Sequence, residues 1–337
     1  MLGFGTQGAF LHVTVICPRL IVCLFCLIAA STRAVAEDVV RLGNLKFAHY
    51  GAVWYMKELA PKYGLKIEEQ IFAKGLDIFP AITAGRIDAS AQAVDAAIAA
   101  RASGLPIYVV AGFAQGGARI VGRTDLALKT IADLKGRTVG VPRGGAHELL
   151  LLAELAQHNL TWSDRPGKDV LIVYLAYADL TQAMLTKSID AMCQSEPQAS
   201  LALAQKIGTE IIKPYDTPIG TPVRALVITE KLYRERPDVA ARFLQCFVEA
   251  TKLFIDQPAV AEKFVREVIF KKQLSHDEYV EAIANSPFTT DITAEHVQRT
   301  TDYMVRYGVG RMAKPPVATD YVKLDLLARA KKSLGAN

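Results

Sequence analysis

Short apolar runs alternate with helical patterns of apolar residues from Val39 to about residue 229. Each short run is typical of a buried strand, and in the stretch that follows it apolar residues recur every three or four positions. This alternation is typical of βαβ units around a mainly parallel sheet and predicts an α/β fold. We predict strands at 39–42, 66–72, 87–91, 106–112, 138–141, 170–175, 189–193, 210–212 and 224–229. We predict helices at 52–63, 77–83, 95–102, 146–158, 179–186 and 197–207.

The alternating pattern occurs twice, with similar sequences at equivalent places. Ile87-Asp88-Ala89 in the first half corresponds to Ile189-Asp190-Ala191 in the second half, 102 positions later. Each of these segments follows a predicted helix and a short turn. We therefore predict two similarly wound lobes, in which the aspartate of each segment caps or anchors its strand.

After residue 229 the pattern becomes helical to the end of the chain. Pro237 and Pro258 are placed to open two helices, where proline's fixed φ suits the first turn. Phe243, Phe247 and Phe254 follow Pro237 at helical spacing. A stripe of this kind is typical of core packing, and we expect it to face the protein interior.

The first 36 residues differ in kind from the rest of the chain. They contain no Asp or Glu, carry Arg19, and run through an apolar stretch at 20–30 to Ala34-Val35-Ala36. A charged flank, an apolar stretch and an A-x-A site are the features of a secretory signal peptide. The apolar run is about half of the ~20 residues that span a bilayer, which disfavours a membrane anchor. We predict a signal peptide over 1–36, cleavage after Ala36 and a periplasmic location.

Composition and charge exclude some classes of protein. A chain of 337 residues, 51% hydrophobic and 22% charged, can form a packed core and is long enough for two lobes. Cleavage leaves 37 basic and 34 acidic residues, a net charge of +3, which gives no sign of nucleic-acid binding. Cys193 and Cys246 also remain. We expect two buried, inert thiols, although one disulfide is arithmetically possible.

Candidate ligand contacts lie where predicted strands end and helices begin. In open α/β sheets the ligand crevice lies beyond the carboxyl ends of the strands, where helix N-termini present free N–H groups. Glycines let the backbone approach a ligand oxygen, and glutamines can both donate and accept hydrogen bonds. We expect ligand contacts from Phe47, His49, Tyr50, Gly75, Gln92, Gln115, Gly116, Arg143, Gly144, Gly145, Ala146, His147, Gln194 and Glu196.

Three arginines are candidates for pairing with an anionic group of a ligand. Arg119, Arg143 and Arg224 each offer bidentate guanidinium donors. Glu196 either favours a ligand with N–H donors or simply opens the following helix. We expect aromatic walls from Phe47, Tyr50, Phe72, Phe113 and Tyr177.

Signatures of catalysis are missing from the sequence. His49, His147 and His158 are not spaced as a metal-binding pair, and no serine sits in a Gly-x-Ser-x-Gly elbow. We therefore predict a binding protein with no catalytic residues, no bound metal and no cofactor.

Several short motifs occur in order between about residues 39 and 230. They are Tyr63-Gly64-Leu65-Lys66-Ile67, Ile82-Thr83-Ala84-Gly85-Arg86-Ile87-Asp88-Ala89, Gly104-Leu105-Pro106-Ile107, Asp133-Leu134-Lys135-Gly136-Arg137-Thr138-Val139-Gly140-Val141, Ile189-Asp190-Ala191 and Glu196-Pro197. With the export leader, this ordered set resembles the solute-binding components of nitrate/sulfonate/taurine-type ABC importers. That group also resembles the fungal thiamine-pyrimidine synthases, whose cysteine-rich motif this mature chain lacks.

The resemblance implies a two-lobe periplasmic-binding-protein fold of the Venus-flytrap, type II kind, with crossover strands near 120–122 and 224–228. Lobe 1 would comprise 37–122 and 226–337, and lobe 2 would comprise 123–225. The resemblance also implies that a small organic solute, an anion such as a sulfonate or carboxylate, is captured between the lobes. ABC permease and ATPase subunits in the inner membrane would receive it from a monomeric binding protein.

Two other functions stay open at this point. One is a periplasmic enzyme or binder that acts on a thiamine-related pyrimidine. The other is a receptor that reports its ligand to a membrane sensor instead of feeding an importer.

Overall fold

Strands and helices alternate up to residue 229 and helices follow, in a computed structural model that describes residues 1–5, 8 and 37–335. The strands are β1 (Asp38–Leu45), β2 (Leu65–Phe72), β3 (Ala89–Ala93), β4 (Ile107–Gln115), β5 (Ala118–Arg123), β6 (Arg137–Val141), β7 (Trp162–Ser163), β8 (Val170–Tyr174), β9 (Ala191–Ser195), β10 (Gly208–Ile212) and β11 (Val223–Thr229). The α-helices are α1 (Gly51–Leu59), α2 (Phe79–Thr83), α3 (Val94–Ala102), α4 (Ala146–Gln157), α5 (Tyr177–Leu185), α6 (Gln198–Ala204), α7 (Glu230–Glu235), α8 (Pro237–Asp256), α9 (Pro258–Phe264), α10 (His276–Asn285), α11 (Ala294–Tyr307), α12 (Ala318–Tyr321) and α13 (Asp325–Leu334). Every strand predicted from the pattern is present.

The predicted signal peptide and its cleavage site after Ala36 lie almost entirely outside the described residues. Glu37–Asn337 form one unit by themselves. Within the part of the chain that the structure describes, no helix is both long and apolar enough to cross a membrane.

The first sheet has the strand order β2-β1-β3-β11-β4. Strand β1 pairs in parallel with β2 and β3, whereas β11 runs antiparallel to β3 and β4. The predicted mainly parallel arrangement is therefore confirmed for the strands that alternate with helices. A single antiparallel strand lies inside it.

The second sheet repeats the winding of the first. Its order is β10-β5-β9-β6-β8-β7, with β6 parallel to β8 and β9, and β5 antiparallel to β9 and β10. Strands β8, β6, β9, β5 and β10 thus take the places of β2, β1, β3, β11 and β4, and β7 is added at the edge. This correspondence confirms the two similarly wound halves that the sequence repeat predicted.

The aspartates of the repeat anchor neighbouring strands. The backbone N–H of Arg41 donates to the Asp88 carboxylate at 3.0 Å, and that of Thr138 donates to Asp190 at 3.0 Å. The backbone N–H of Asp88 in turn donates to the Arg41 carbonyl, and that of Asp190 donates to the Thr138 carbonyl. The anchoring role predicted for both aspartates is confirmed, because each closes the ladder where its strand begins.

The chain changes sheet twice. It leaves the first sheet after Gln115 and enters the second at Ala118, through Gly116 and Gly117, both of which have positive φ. It returns over residues 213–222, between β10 and β11. The antiparallel strand of each sheet is the strand that follows a crossing, so the two predicted crossover strands are confirmed.

The predicted lobe limits differ from the strand pairing. Limits at 122–123 and 225–226 would cut β5 and β11, whereas hydrogen bonding holds each of these strands whole in the sheet that it enters. A ladder keeps its strand in one sheet, and the change of sheet therefore falls in the connecting segments. The chain passes from one sheet to the other at the turn of Gly116 and Gly117 and over the segment 213–222.

The C-terminal helices contribute side chains to the hydrophobic core. On α8 the side chains of Phe243, Phe247 and Phe254 are buried, as their spacing predicted, and the helix packs against α1 and α13. Cys193 in β9 and Cys246 in α8 are free and buried, and burial raises the pKa of both thiols, that of Cys246 to about 12. The prediction of two buried thiols is confirmed, and they do not pair.

Glu154 on α4 is a buried acid, and its two carboxyl oxygens have no hydrogen-bond partner among the described residues. Burial, followed by the charge of Asp216, raises its pKa from 4.5 to about 7. Between these two values the folded protein holds a proton that the unfolded chain has released. The contribution of Glu154 to folding stability is therefore expected to decline as the pH rises from 4.5 through 7.

A Glu154→Gln variant should remove this pH dependence. We expect its free energy of unfolding at pH 8 to exceed that of the wild type by roughly 1–2 kcal/mol, because a neutral amide has no buried charge to desolvate. Urea unfolding at pH 5 and pH 8 measures the difference, with the exposed Glu235→Gln as the matched control. A wild type and variant that respond identically to pH would contradict the assignment.

Candidate functional site

A cavity lies where the carboxyl ends of strands from both sheets meet. Its inner part has a volume of about 40 Å³, and a groove of about 630 Å³ lies beside it. The inner part is lined by Leu45, Phe47, His49, Tyr50, Lys74, Gly75, Leu76, Ala93, Asp95, Ala96, Pro142, Arg143, Gly145, His147, Tyr177, Ser195 and Arg224. The groove shares Phe47, Lys74, Pro142, Arg143 and Tyr177 with it. Residues at or just after the ends of β1, β3, β6 and β9 therefore converge, as expected for a crevice in α/β sheets.

Half of the predicted ligand contacts are brought together here. Those that line the cavity are Phe47, His49, Tyr50, Gly75, Arg143, Gly145 and His147. The other predicted contacts, which do not line it, are Gln92, Gln115, Gly116, Gly144, Ala146, Gln194 and Glu196.

The two glutamines of the repeat lie behind the cavity wall. Gln194 donates from Nε2 to the Tyr177 carbonyl at 2.9 Å and accepts at Oε1 from the Ser195 N–H at 2.8 Å. It thereby fixes two residues that do line the cavity. Gln92 is buried beneath Gly75, where a Cβ would lie 3.3 Å from the Gln92 Cβ, and its amide has no partner among the described residues.

The glycine turns have different surroundings from those predicted. Gly116 packs against the Asn285 carbonyl, and the Gln115 N–H donates to Pro287, so this turn faces the C-terminal helices. Gly144 has a φ of 83° and lines a separate groove. Ala146 is buried as the first residue of α4.

Two buried histidines contribute no charge to the cavity at neutral pH. Burial and then the charge of Arg224 lower the pKa of His147 to about 3 and that of His49 well below its usual range. His147 Nε2 lies 3.4 Å from the Gly117 carbonyl, and its Nδ1 lies 2.8 Å from the Tyr177 hydroxyl. A neutral ring that donates from Nε2 and accepts at Nδ1 satisfies both contacts.

Aromatic rings form one side of the cavity. The ring centroids of Phe47 and Tyr177 lie 5.5 Å apart, and the rings meet edge to face. Phe47 follows β1 of the first sheet, whereas Tyr177 follows β8 of the second sheet. Phe113 packs behind Tyr50 at 4.6 Å, and Phe72 lines the outer groove. Four of the predicted aromatic residues thus line the cavity or the groove, and Phe113 packs behind Tyr50.

Arg224 is the buried cation of the site. It lies on β11, paired with Ala93 at the end of β3, and is 3% exposed. Its Nη2 donates to the Gly116 carbonyl at 3.1 Å, while its Nε has no partner. Among the described residues no carboxylate lies within ion-pair distance of its guanidinium. A buried guanidinium with a free donor is suited to an anionic ligand group.

Asp95 is a cavity residue that the sequence reasoning missed. It lies in the first turn of α3 and is 1% exposed, and burial raises its pKa to about 6. Arg224 and the N–H groups of Asp95 itself and Ala146 oppose that rise. The signal that could have found it is its place directly after β3, at the edge where helix N-termini meet.

Arg119 and Glu196 pair with each other and not with the cavity. Arg119 Nε donates to the buried Glu196 carboxylate, and the guanidinium also pairs with Glu210 and Glu281. Asn285 donates to Glu196 at 2.8 Å and Ser200 at 2.7 Å. Both carboxylate oxygens are thus engaged. These contacts join β5 of the second sheet to α10.

Solved structures place this architecture among the periplasmic binding proteins. An alkanesulfonate-binding protein, SsuA from Xanthomonas axonopodis pv. citri bound to MOPS, has a TM-score of 0.71 at 19% identity, covering 85% of this chain and 98% of that chain. The periplasmic nitrate-binding protein NrtA from Synechocystis PCC 6803 has a TM-score of 0.69 at 16% identity, with coverages of 88% and 89%. A mutant of DszB in complex with biphenyl-2-sulfinic acid has a TM-score of 0.63 at 14% identity, with coverages of 88% and 99%. The predicted two-lobe periplasmic-binding-protein fold is confirmed.

The chain belongs to the NMT1-like family, whose profile matches residues 38–268. The resemblance indicated by the ordered motifs is thereby confirmed at the level of family and fold. A search of curated proteins finds no match. Over residues 37–335 no group of three or more His, Cys, Asp or Glu side chains is arranged to hold a metal ion.

Proposed function

We propose that this protein is the substrate-binding component of an ABC importer and that its ligand is a small organic anion. The observation that carries the proposal is Arg224, a buried guanidinium that lines a cavity between two sheets and whose Nε has no partner among the described residues. Asp95 offsets the buried charge of Arg224 only from beyond ion-pair distance, and an anion that enters the cavity relieves more of the cost of burying that charge. The buried cation and the cavity that it lines therefore both support a protein that binds a small anion.

Ligand exchange requires the two lobes to separate. The inner cavity, at about 40 Å³, is lined by residues of both halves, among them Asp95 from the first and His147 from the second. Over residues 37–335 only two segments of the chain join the sheets, the turn at Gly116 and Gly117 and residues 213–222. Hinge motion at these segments opens the cavity, and closure over the ligand creates the surface that a permease recognises.

The other parts of the proposal follow from export and from the lining of the cavity. The leader over 1–36 supports a periplasmic protein, which we take to be monomeric and to deliver its ligand to permease and ATPase subunits. The cavity lining contains no cysteine, and burial, followed by the charge of Arg224, lowers the pKa of both of its histidines. These features support binding without chemistry.

A thermal-shift screen tests the proposal. The purified protein is mixed with alkanesulfonates, nitrate, aliphatic and aromatic carboxylates, and pyrimidines, and we expect the melting temperature to rise with one of the organic anions. Titration calorimetry then gives the affinity, and mass spectrometry after long incubation shows whether the compound is intact.

Each result of this screen has a stated meaning. An organic anion that binds and is recovered unchanged supports the proposal. Turnover of the bound compound contradicts it in favour of an enzyme. A shift with an uncharged pyrimidine alone, or with no compound, contradicts the assignment of an anionic ligand.

A further inference from the structure

One strand of the second sheet has no counterpart in the first sheet. Strand β7 pairs with β8 at the sheet edge and consists of Trp162 and Ser163. Reciprocal bonds fix the start of this strand, because Thr161 Oγ1 donates to the Asp169 carboxylate at 2.7 Å and accepts from the Asp169 N–H at 3.2 Å. Trp162 is therefore held in a defined place, on an addition that the sequence repeat does not explain.

The Trp162 ring contacts the end of α11, which belongs to the other half of the molecule. The ring centroids of Trp162 and Tyr307 lie 6.0 Å apart, and the rings meet edge to face. Helix α11 packs against α3, which follows β3 of the first sheet, and farther along the chain the Lys323 N–H donates to the Val109 carbonyl of β4 at 2.8 Å. The contact therefore joins a strand of the second sheet to a segment that is bound to the first sheet.

A groove of about 480 Å³ lies beside this aromatic contact. One wall comes from β7, β8, α4 and the turn before α4, and the other comes from Tyr307, Gly308, Gly310 and Arg311. Arg143 lines both this groove and the ligand cavity, and α11 also packs against α4. Half-buried rings beside open space can separate without leaving a void inside a core. The aromatic contact is thus suited to form and break as the halves move.

The segment that presents Tyr307 is anchored as firmly as β7. Gly308 ends α11 with a φ of 70°, and Arg311 has a φ of 46°. Val309 is buried between them, and its N–H donates to the Met304 carbonyl at 2.9 Å. A non-glycine residue stays in the left-handed region only where the surrounding contacts hold it there. Because both rings are carried by fixed segments, a relative movement of the halves forms or breaks their contact.

We propose that Trp162 and Tyr307 form a latch that holds the two halves in the closed arrangement before any solute binds. An edge-to-face aromatic pair changes an equilibrium constant roughly two- to ten-fold, and this pair exists only where the halves are together. It therefore shifts the population toward the closed form. Neither ring lines the ligand cavity, so the latch controls how often the cavity is open. This inference rests on the hinge motion of the proposed function and adds the contact that opposes opening.

Distances between spin labels test the latch without any solute. One label is placed at Glu58→Cys on α1 of the first half and the other at Gln182→Cys on α5 of the second half, where both native side chains are exposed. The native Cys193 and Cys246 are buried and are not expected to react with the label. Double electron–electron resonance on the purified protein then gives the populations of shorter and longer distances.

Removal of either ring is expected to release the halves. We expect Tyr307→Ala and Trp162→Ala each to raise the ratio of open to closed protein at least two-fold over the labelled parent, whereas Tyr307→Phe, which keeps the ring, retains the parent ratio. The double variant should change no more than the more affected single variant, because both substitutions remove the same contact. Identical distance distributions in the parent and both alanine variants overturn the inference, and so do effects of the two substitutions that add.

An aromatic contact within one half provides the control. Tyr108 on β4 and Tyr233 on α7 also meet edge to face, with ring centroids 5.0 Å apart. Tyr233→Ala is expected to leave the distance distribution unchanged, and thermal unfolding confirms that every variant folds. If Tyr233→Ala opened the protein as much as Tyr307→Ala does, the contact between the halves would have no special role and the latch would be refuted. The importer proposal survives that result if the anion screen finds an intact ligand, and the screen can fail while the latch holds.

Discussion

Arg224→Gln is expected to weaken binding of the anionic ligand on the order of 100-fold, equivalent to about 3 kcal/mol. The substitution removes a buried positive charge and the free Nε donor, while glutamine keeps much of the side chain's length. A conservative Arg224→Lys should recover part of the affinity, because it restores charge without the planar donors. Titration calorimetry with the anion identified by thermal shift measures both variants.

The control for this prediction is Arg143→Gln. Arg143 also lines the cavity, but its side chain is 53% exposed, pairs with Asp164 and lies over the Tyr174 ring. We expect a loss of roughly three-fold or less, because an exposed charge is screened by solvent. If Arg224→Gln bound the anion as well as Arg143→Gln does, Arg224 would not be the anion site.

Arg119→Met is expected to lower the free energy of unfolding by about 3–5 kcal/mol, because it leaves a buried carboxylate without its cation. Glu196 is fully buried, and without Arg119 its charge retains only the donors of Asn285 and Ser200. Urea unfolding of purified protein gives the free energy directly.

An exposed ion pair provides the comparison. Lys252→Met removes a surface partner of Asp256 on α8, where both side chains are about half exposed, and should change the free energy by about 0.5 kcal/mol or less. Arg119→Met within about 1 kcal/mol of wild type would show that the buried cluster does not stabilise the fold. Ligand affinity of the folded Arg119→Met protein should change little, since Arg119 does not line the cavity.

The sequence predicted the fold well because its signals were local or repeated. Strand and helix periods lie within short windows, and the repeated Ile-Asp-Ala segments marked β3 and β9 as equivalent strands. The anchoring bonds of Asp88 and Asp190 follow from that equivalence. The places where the chain changes sheet were harder to predict, because periodicity shows where a strand runs but not which sheet holds it.

The site was harder to predict because side-chain partners are distant in the sequence. Glu196 follows β9 at the correct edge, yet it turns to Arg119, 77 positions away. Arg119 in turn reaches Glu281 across 162 positions. Gln194 was expected at the cavity for the same positional reason and instead holds its wall. Asp95 was missed because an acid in a first helical turn has an ordinary explanation in the helix dipole.

The strands of the second sheet lie within one stretch of the sequence, between strands of the first sheet, and this nesting sets an order of assembly for a chain that emerges N-terminus first. Residues 118–212 contain every strand of the second sheet as a continuous stretch, whereas the first sheet needs β11, which is made afterwards. A chain that emerges N-terminus first therefore presents β3 and β4 without the strand that joins them until residue 229 is out. The second sheet can therefore complete its strand pairing first. The first sheet lacks its pairing between β3 and β4 until β11 is available.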